Sequence, residues 1–279
     1  MKTLYEQTAY KTSRSVTNAY STSFSLAVRI LKTEKRNAIY SIYGFVRLAD
    51  EIVDTFLDFE QEDLLNEFVN EFKTSFQRKI SMNPIIHSFV TTVYKYNISI
   101  DLIEAFLNSM RMDLYKSQYH SAYETSEYIY GSAEVVGLMC LKVFTDGNET
   151  LYRELKKPAS SLGSAFQKVN FLRDLKADYE QLNRTYFSGF ERDTFSESHK
   201  NQLINEIENE FNEALNGIKK LPGRSKVAVY LAYLYYMQLL NKLLKTPARQ
   251  IISQRVRVNN FIKLILFIKA SLLYKLKLI

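Results

Sequence analysis

Tryptophan is absent from this 279-residue chain, cysteine occurs once, and there are only 8 Gly and 4 Pro. An average chain would carry roughly 12% of glycine and proline together. Breakers are therefore too few for a loop-rich sandwich, a propeller or a disulfide scaffold. Cys140 has no partner, so no internal disulfide can form, and a reducing cytoplasm is the expected compartment. The histidines, His87, His120 and His199, are scattered without zinc-ligand spacing. No two glycines stand two apart, which removes the GxG fingerprint and the P-loop, and no GxSxG elbow occurs. The N-terminal segment lacks the apolar run of a secretory signal. The last uncharged runs, 264–268 and 270–274, are far shorter than the ~18–20 residues that span a bilayer. Acidic residues are missing altogether after Glu213, where 13 Lys and Arg remain.

What is present is a large apolar fraction, 46%, with 20 Tyr and 18 Phe. That is enough to fill a sizeable core, so disorder is excluded. No segment alternates with period two. Helical spacing recurs instead, as in Ile42, Val46, Ala49, Val53 and Phe56, in Leu102, Ala105, Phe106 and Met110, and in Leu162, Ala165, Val169 and Leu172. Breaks are expected near Asn83-Pro84, Asp146-Gly147-Asn148, Ser188-Gly189, Leu221-Pro222-Gly223 and Thr246-Pro247. The simplest architecture is one all-α domain over residues 1–279, a bundle of about ten helices around one core.

Two stretches carry chemistry. On a helix, Tyr43, Arg47, Asp50 and Asp54 form one polar stripe beside an apolar one. Carboxylates one turn apart repel unless a cation compensates them, and Mg²⁺ suits that role because it accepts one or two carboxylates and completes its shell with water and phosphate oxygens. Alone, such a pair reads as a solvated acidic face. The second stretch, Gly163, Gln167, Asn170, Asp174 and Asp178, is again one stripe, here surrounded by apolar residues. A polar line in an apolar setting is costly unless its groups are satisfied. Two such helices facing each other would form a carboxylate cage able to hold two or three Mg²⁺ ions against a diphosphate. A buried ion-pair network is the rival reading.

Several segments resemble the squalene/phytoene synthase family. They are Tyr20 to Ser25, Arg47 to Asp54, Met112-Asp113-Leu114, Tyr128 to Ala133, Gln167 through Tyr186-Phe187, and Arg255 to Val258, in the family's order along nearly the whole chain. The nearest likeness is to its bacterial phytoene-making members. The resemblance implies an isoprenoid synthase fold with a central cavity. It implies head-to-head condensation of two geranylgeranyl diphosphates to phytoene through a cyclopropylcarbinyl diphosphate. The alternative is squalene or dehydrosqualene synthesis from farnesyl diphosphate. By match to the family's motifs, Asp50, Asp54, Asp174 and Asp178 would bind Mg²⁺ and diphosphate. Ser21, Ser23, Arg47 and Arg173 would hold diphosphate oxygens. Tyr43, Tyr130, Gln167, Asn170 and Tyr236 would line the reaction centre, and NADPH is not expected. Gly131, Ala133 and Gly137 are the small residues expected on the cavity wall. The chain departs from the family's pattern at Tyr20, where relatives often carry a base, at Ala177, and at Glu134, an acid beside an expected apolar channel.

The charge is divided. Residues after Glu213 carry +13, and the remainder of the chain offsets this to the overall +7. The basic part is expected to meet an anionic partner. Its bases sit among Leu and Ile rather than in an exposed stripe, which argues against nucleic acid and for a peripheral membrane surface. The competing expectation is that Arg255 and Arg257 face the acidic half, while the lysines snorkel from a core helix.

Overall fold

A computed structural model describes residues 2–182, 184–187, 195–276 and 279, and these are almost wholly helical. The expected break at Ser188-Gly189 and Lys277 lie outside the described residues. The helices are α1 (Lys2–Tyr20), α2 (Thr22–Val28), α3 (Thr33–Asp54), α4 (Gln61–Arg78), α5 (Pro84–Tyr96), α6 (Ile100–Tyr115) and α7 (Ala122–Ile129), followed by a π-helical segment at Tyr130–Glu134. Then come α8 (Val135–Thr145), α9 (Glu149–Leu182), α10 (Glu197–Ile218), α11 (Gly223–Lys245), α12 (Ala248–Ser253) and α13 (Asn260–Lys275). The series runs beyond the ten expected because α2, α7 and α12 are short pieces at turns in the chain. Among the described residues there is no strand, only one isolated bridge between Gln118 and Thr185.

Local chemistry places the boundaries. Asn83 accepts from the amides of Ile85 and Ile86, and Pro84 opens α5 where its missing N–H costs nothing. Asp146 closes α8 in the left-handed conformation, with Gly147 next. Pro222 precedes α11 and Pro247 precedes α12. Pro158 is the exception, because α9 runs straight through it for 34 residues. Neighbouring helices hold that stretch, overriding a breaker that would kink an isolated helix.

Two main apolar clusters form. In the first, Phe45 of α3 meets the rings of Phe68, Phe72, Phe89 and Phe106, with Phe89 stacked at 4.0 Å. The second gathers around α9, α10 and α11, with Val169, Leu172, Ile207 and Phe211 fully buried. Each such side chain contributes about 1.5–3 kcal/mol on burial. A cavity of about 1230 Å³ lies between the clusters and is lined by both.

The π-helical segment enters this wall tightly. A Cβ on Gly163 of α9 would lie 2.9 Å from both the Ala133 carbonyl oxygen and the Glu134 Cα. Gly131 faces the other way, its missing Cβ pointing at the Ala105 carbonyl oxygen and Ser109 of α6, both 2.8 Å away. Gly131 is therefore a packing glycine between helices and not part of the cavity wall, whereas Ala133 and Gly137 do line it. An exposed helical glycine gains stability on replacement by alanine. Gly163→Ala should instead lose about 1–3 kcal/mol through overpacking, because the atoms in its way are main chain. Urea unfolding with an unchanged m-value checks this.

Candidate active site

The cavity owes its polarity to two long helices. On α3 the lining passes from Ile39 and Ile42 through Tyr43 and Val46 to Arg47, Asp50 and Asp54. This stretch spans about 22 Å at the helical rise. On α9 it passes from Leu155 and Ala159 through Leu162 and Phe166 to Gln167, Asn170, Asp174 and Asp178. Both helices start apolar and end in carboxylates, and their acidic ends share one electrostatic site, since the Asp54 charge raises Asp178. The result is a chamber with an apolar body and an acidic end.

The acidic end is only partly neutralised. Arg47 pairs with Glu51 and stands 4.0 Å from Asp50, while its guanidinium lies 4.4 Å from the centre of the Tyr20 ring. Asp174 is held by Arg173 and by Arg255, whose Nε is 2.7 Å away. Arg184, itself 6% exposed, donates to Asp54 at 2.6 Å and to the Asp113 carbonyl at 2.8 Å, and lies 3.8 Å from the Asp113 carboxylate. Asp50 and Asp178 are left with arginines only at a distance. Burial, together with the neighbouring charge of Asp54, pushes Asp50 up to about 7. Burial, then Asp174 and Asp54, push Asp178 up to about 7. Asp50 keeps 31% of its side-chain surface open, but that opening is into the cavity. Burial also holds Asp113 above the usual carboxylate range, with Arg184 offsetting part of the effect.

Around this end sit neutral groups. Tyr236 donates to Asn170 Oδ1 at 3.2 Å, and its ring stacks on Phe166 at 3.8 Å. Tyr43 stacks on Phe24 at 5.1 Å, and burial raises its hydroxyl to about 12. Ser21 caps α2 by accepting from the Phe24 amide at 3.3 Å, and Ser23 lines the cavity beside it. Among the described residues no group of three His, Cys, Asp or Glu side chains stands ready to enclose a metal ion by itself.

Comparison with known proteins identifies the family and the fold. The family model for squalene/phytoene synthase matches residues 17–261. The chain belongs to the squalene/phytoene synthase family. Its relatives include a chloroplastic phytoene synthase from an Oncidium hybrid cultivar, 27% identical over 256 residues, covering 84% of this chain and 61% of the relative. The chain thus spans about three fifths of that plant protein's length. A 4,4'-diapophytoene synthase from Staphylococcus haemolyticus is 25% identical over 266 residues, covering 88% and 90%. A phytoene synthase from Arthrospira platensis is 24% identical over 261 residues, covering 84% of each chain. A solved dehydrosqualene synthase superposes with a TM-score of 0.85 at 22% identity, covering 97% and 98%. A squalene synthase from Alicyclobacillus acidocaldarius gives 0.76 at 18%, covering 91% and 97%. The fold is the isoprenoid synthase fold.

Most of the family residues expected from the sequence meet at this cavity: Ser21, Ser23, Tyr43, Arg47, Asp50, Asp54, Gln167, Asn170, Arg173, Asp174, Asp178 and Tyr236 all line it. Tyr130 does not. It opens the π-helical segment, is 42% exposed and is absent from the lining. Tyr128 takes the inward place, buried, donating to Asp113 Oδ2 at 2.9 Å and packed against Tyr119 and Tyr186. Glu134 turns out of the cavity toward Ser160, so no acid faces the channel there. Asp113, Tyr128 and Arg184 received no role from the sequence, although all three fall within the segments that carry the family resemblance. Arg255 does reach the acidic half.

Two outcomes follow from the charges. Asp50 and Asp178 have native values near 7, above the ~3.9 of an unfolded aspartate. The native state therefore keeps protons that the unfolded chain has lost. The stability this gives is complete below about pH 4 and disappears as pH rises through about 7. The metal-free Tm should fall between these limits, and Asp50→Asn with Asp178→Asn should flatten the fall; thermal melts in EDTA across this interval read it. Arg184→Met would strand buried Asp113 without its counter-charge, at a cost of about 3–5 kcal/mol in denaturant unfolding.

Proposed function

We propose that this chain joins two geranylgeranyl diphosphates head to head to give phytoene, acting as a Mg²⁺-dependent prenyltransferase. The observation that carries the reading is the single chamber with an apolar body and an uncompensated carboxylate end. Its volume of about 1230 Å³ exceeds the ~300–1,000 Å³ usual for one small ligand, which suits two long isoprenoid chains. The Oncidium and Arthrospira relatives are both named phytoene synthases.

The donor set fits magnesium. Asp50, Asp54, Asp174 and Asp178 offer hard oxygen ligands from two helices, and Asp50 and Asp178, raised first by burial and then by neighbouring aspartates, stand where a cation would favour their charged forms. The lack of a ready three-ligand group fits an ion that takes one or two carboxylates and fills its shell with water and phosphate. When bound, the ion would neutralise charge growing on the leaving diphosphate.

The chain's own residues would do the rest. Arg47, Arg173 and Arg255 would exchange carboxylate partners for diphosphate oxygens, with the Ser21 and Ser23 hydroxyls as neutral donors. Loss of diphosphate leaves an allylic cation, which the double bond of the second chain attacks, and loss of a proton closes the three-membered ring to give the cyclopropylcarbinyl diphosphate. Renewed ionisation, rearrangement and loss of a second proton yield the triene. The aromatic pairs Phe24–Tyr43 and Phe166–Tyr236 present ring faces to the cationic carbon and keep water away. Tyr43, with its hydroxyl raised to about 12, remains protonated and serves as a dipole. Released diphosphate is then the better proton acceptor.

Farnesyl diphosphate as substrate is the second reading, favoured by the dehydrosqualene synthase fold neighbour and the Staphylococcus relative. Incubation of the pure chain with Mg²⁺ and either C15 or C20 diphosphate, with and without NADPH, separates the two by product mass. Turnover of the C15 substrate alone overturns the phytoene assignment. Asp50→Asn should lower turnover by at least ~10²-fold without lowering the Tm. Undiminished activity in EDTA would remove the metal from the mechanism.

A further inference from the structure

Helix α13 is apolar on two opposite sides, and only one of them is covered. Ala270 is fully buried, and with Leu266 and Phe267 it packs on Leu231 and Tyr235 of α11 and on Ala27 of α2. The other side presents Phe261, Leu264, Ile265, Ile268 and Leu272, between 48% and 67% exposed. These positions step by three, one, three and four and so share one face. Lys269 is exposed at one edge of that face and Lys275 is exposed at its C-terminal end. No acidic residue occurs anywhere after Glu213. No helix among the described residues is long and apolar enough to cross a membrane.

From this we infer that the outer face of α13 docks on an anionic lipid bilayer, lying in the plane of the interface. An apolar stripe edged by lysines is the pattern of an interfacial helix: the stripe sinks to the acyl boundary and the ammonium groups reach the headgroups. Charge complementarity selects a bilayer over a second copy of this chain. Two copies meeting through α13 would bring like-charged faces together, with no carboxylate on the helix to pair with a lysine. Each base held near an anionic surface raises partitioning roughly fivefold. The segment just before α13 lines the cavity through Val258 and Asn259, and Lys263 of the helix lines it too. The docking face therefore adjoins the chamber, which, on the function proposed above, would let a hydrocarbon product pass to lipid. Docking itself does not depend on that function.

The test is co-sedimentation of the full chain, without substrate, with vesicles of about 30% phosphatidylglycerol in phosphatidylcholine. Most of the protein should pellet at low salt and return to the supernatant at about 0.5 M salt, where screening is strong. Vesicles of phosphatidylcholine alone should retain at least about tenfold less. Ile268→Asp with Leu272→Asp should abolish capture while leaving helix content and Tm unchanged, since both side chains face outward. If that pair fails to fold, Lys269→Glu with Lys275→Glu serves, and it should lower capture by more than about tenfold. Equal recovery from anionic and neutral vesicles at low salt overturns the proposal. So does a concentration-dependent dimer, lost in the Ile268/Leu272 variant, in a protein that vesicles do not capture. Capture read without substrate stands or falls separately from the synthase activity.

Discussion

Mutual repulsion among the carboxylates at the ends of α3 and α9 is the constraint to which the rest of the structure answers. Four aspartates on two helices would drive those ends apart in a dry setting. Arg184 prevents it from beneath, bonded at once to Asp54 of α3 and the Asp113 carbonyl of α6, with its own amide donating to the Asp178 carbonyl at 2.8 Å. Beside this buried arginine the rings of Tyr128, Phe171 and Tyr186 stack, with Phe171 and Tyr186 4.0 Å apart. Full neutralisation was available in principle through more basic residues. Leaving Asp50 and Asp178 undercompensated costs stability once both are charged.

The apolar body of the chamber follows from the same two helices. Their lining changes from aliphatic to ionic along one direction, so a chain entering with a charged head can lie in only one sense. Cys140, the one thiol on the cavity wall, is pushed by burial up to about 12 and stays protonated. Orientation is thus built into helix composition before any specific contact is made.

The polar stripes were legible because a straight α-helix keeps its period, so Asp50 and Asp54, or Asn170 and Asp174, must share a face. Where the helix is not straight, the places expected from the family resemblance shift. The π-helical segment at Tyr130–Glu134 holds an extra residue in the turn, which rotates everything beyond it. Tyr128, just before this segment, occupies the inward place expected of Tyr130, while Gly131 meets α6 rather than the cavity and Glu134 turns toward Ser160. Asp113 and Arg184 were opaque for another reason. Each is a single charged residue with no periodic partner, and its significance lies in a contact across 71 positions that only the tertiary structure creates. Pro158 shows the converse, a strong local signal overruled by packing on both sides.

The C-terminal region asks for both of the readings its sequence allowed. Lysines about six residues apart cannot mark one face, and the helix they sit on is apolar nearly all round, so the pattern alone could not say which side is inward. A small residue decides it: only at Ala270 can the backbone of α13 approach α11 and α2 closely enough to be fully buried, and that turns Ile265, Ile268 and Leu272 outward. The segment immediately before it carries Arg255 inward to Asp174. One continuous stretch of chain is therefore fixed at one end by the acidic centre and exposes an apolar, lysine-edged face at the other. The bases of this stretch are divided between the two ends, with Arg255 at the acidic centre and Lys269 and Lys275 exposed on the helix.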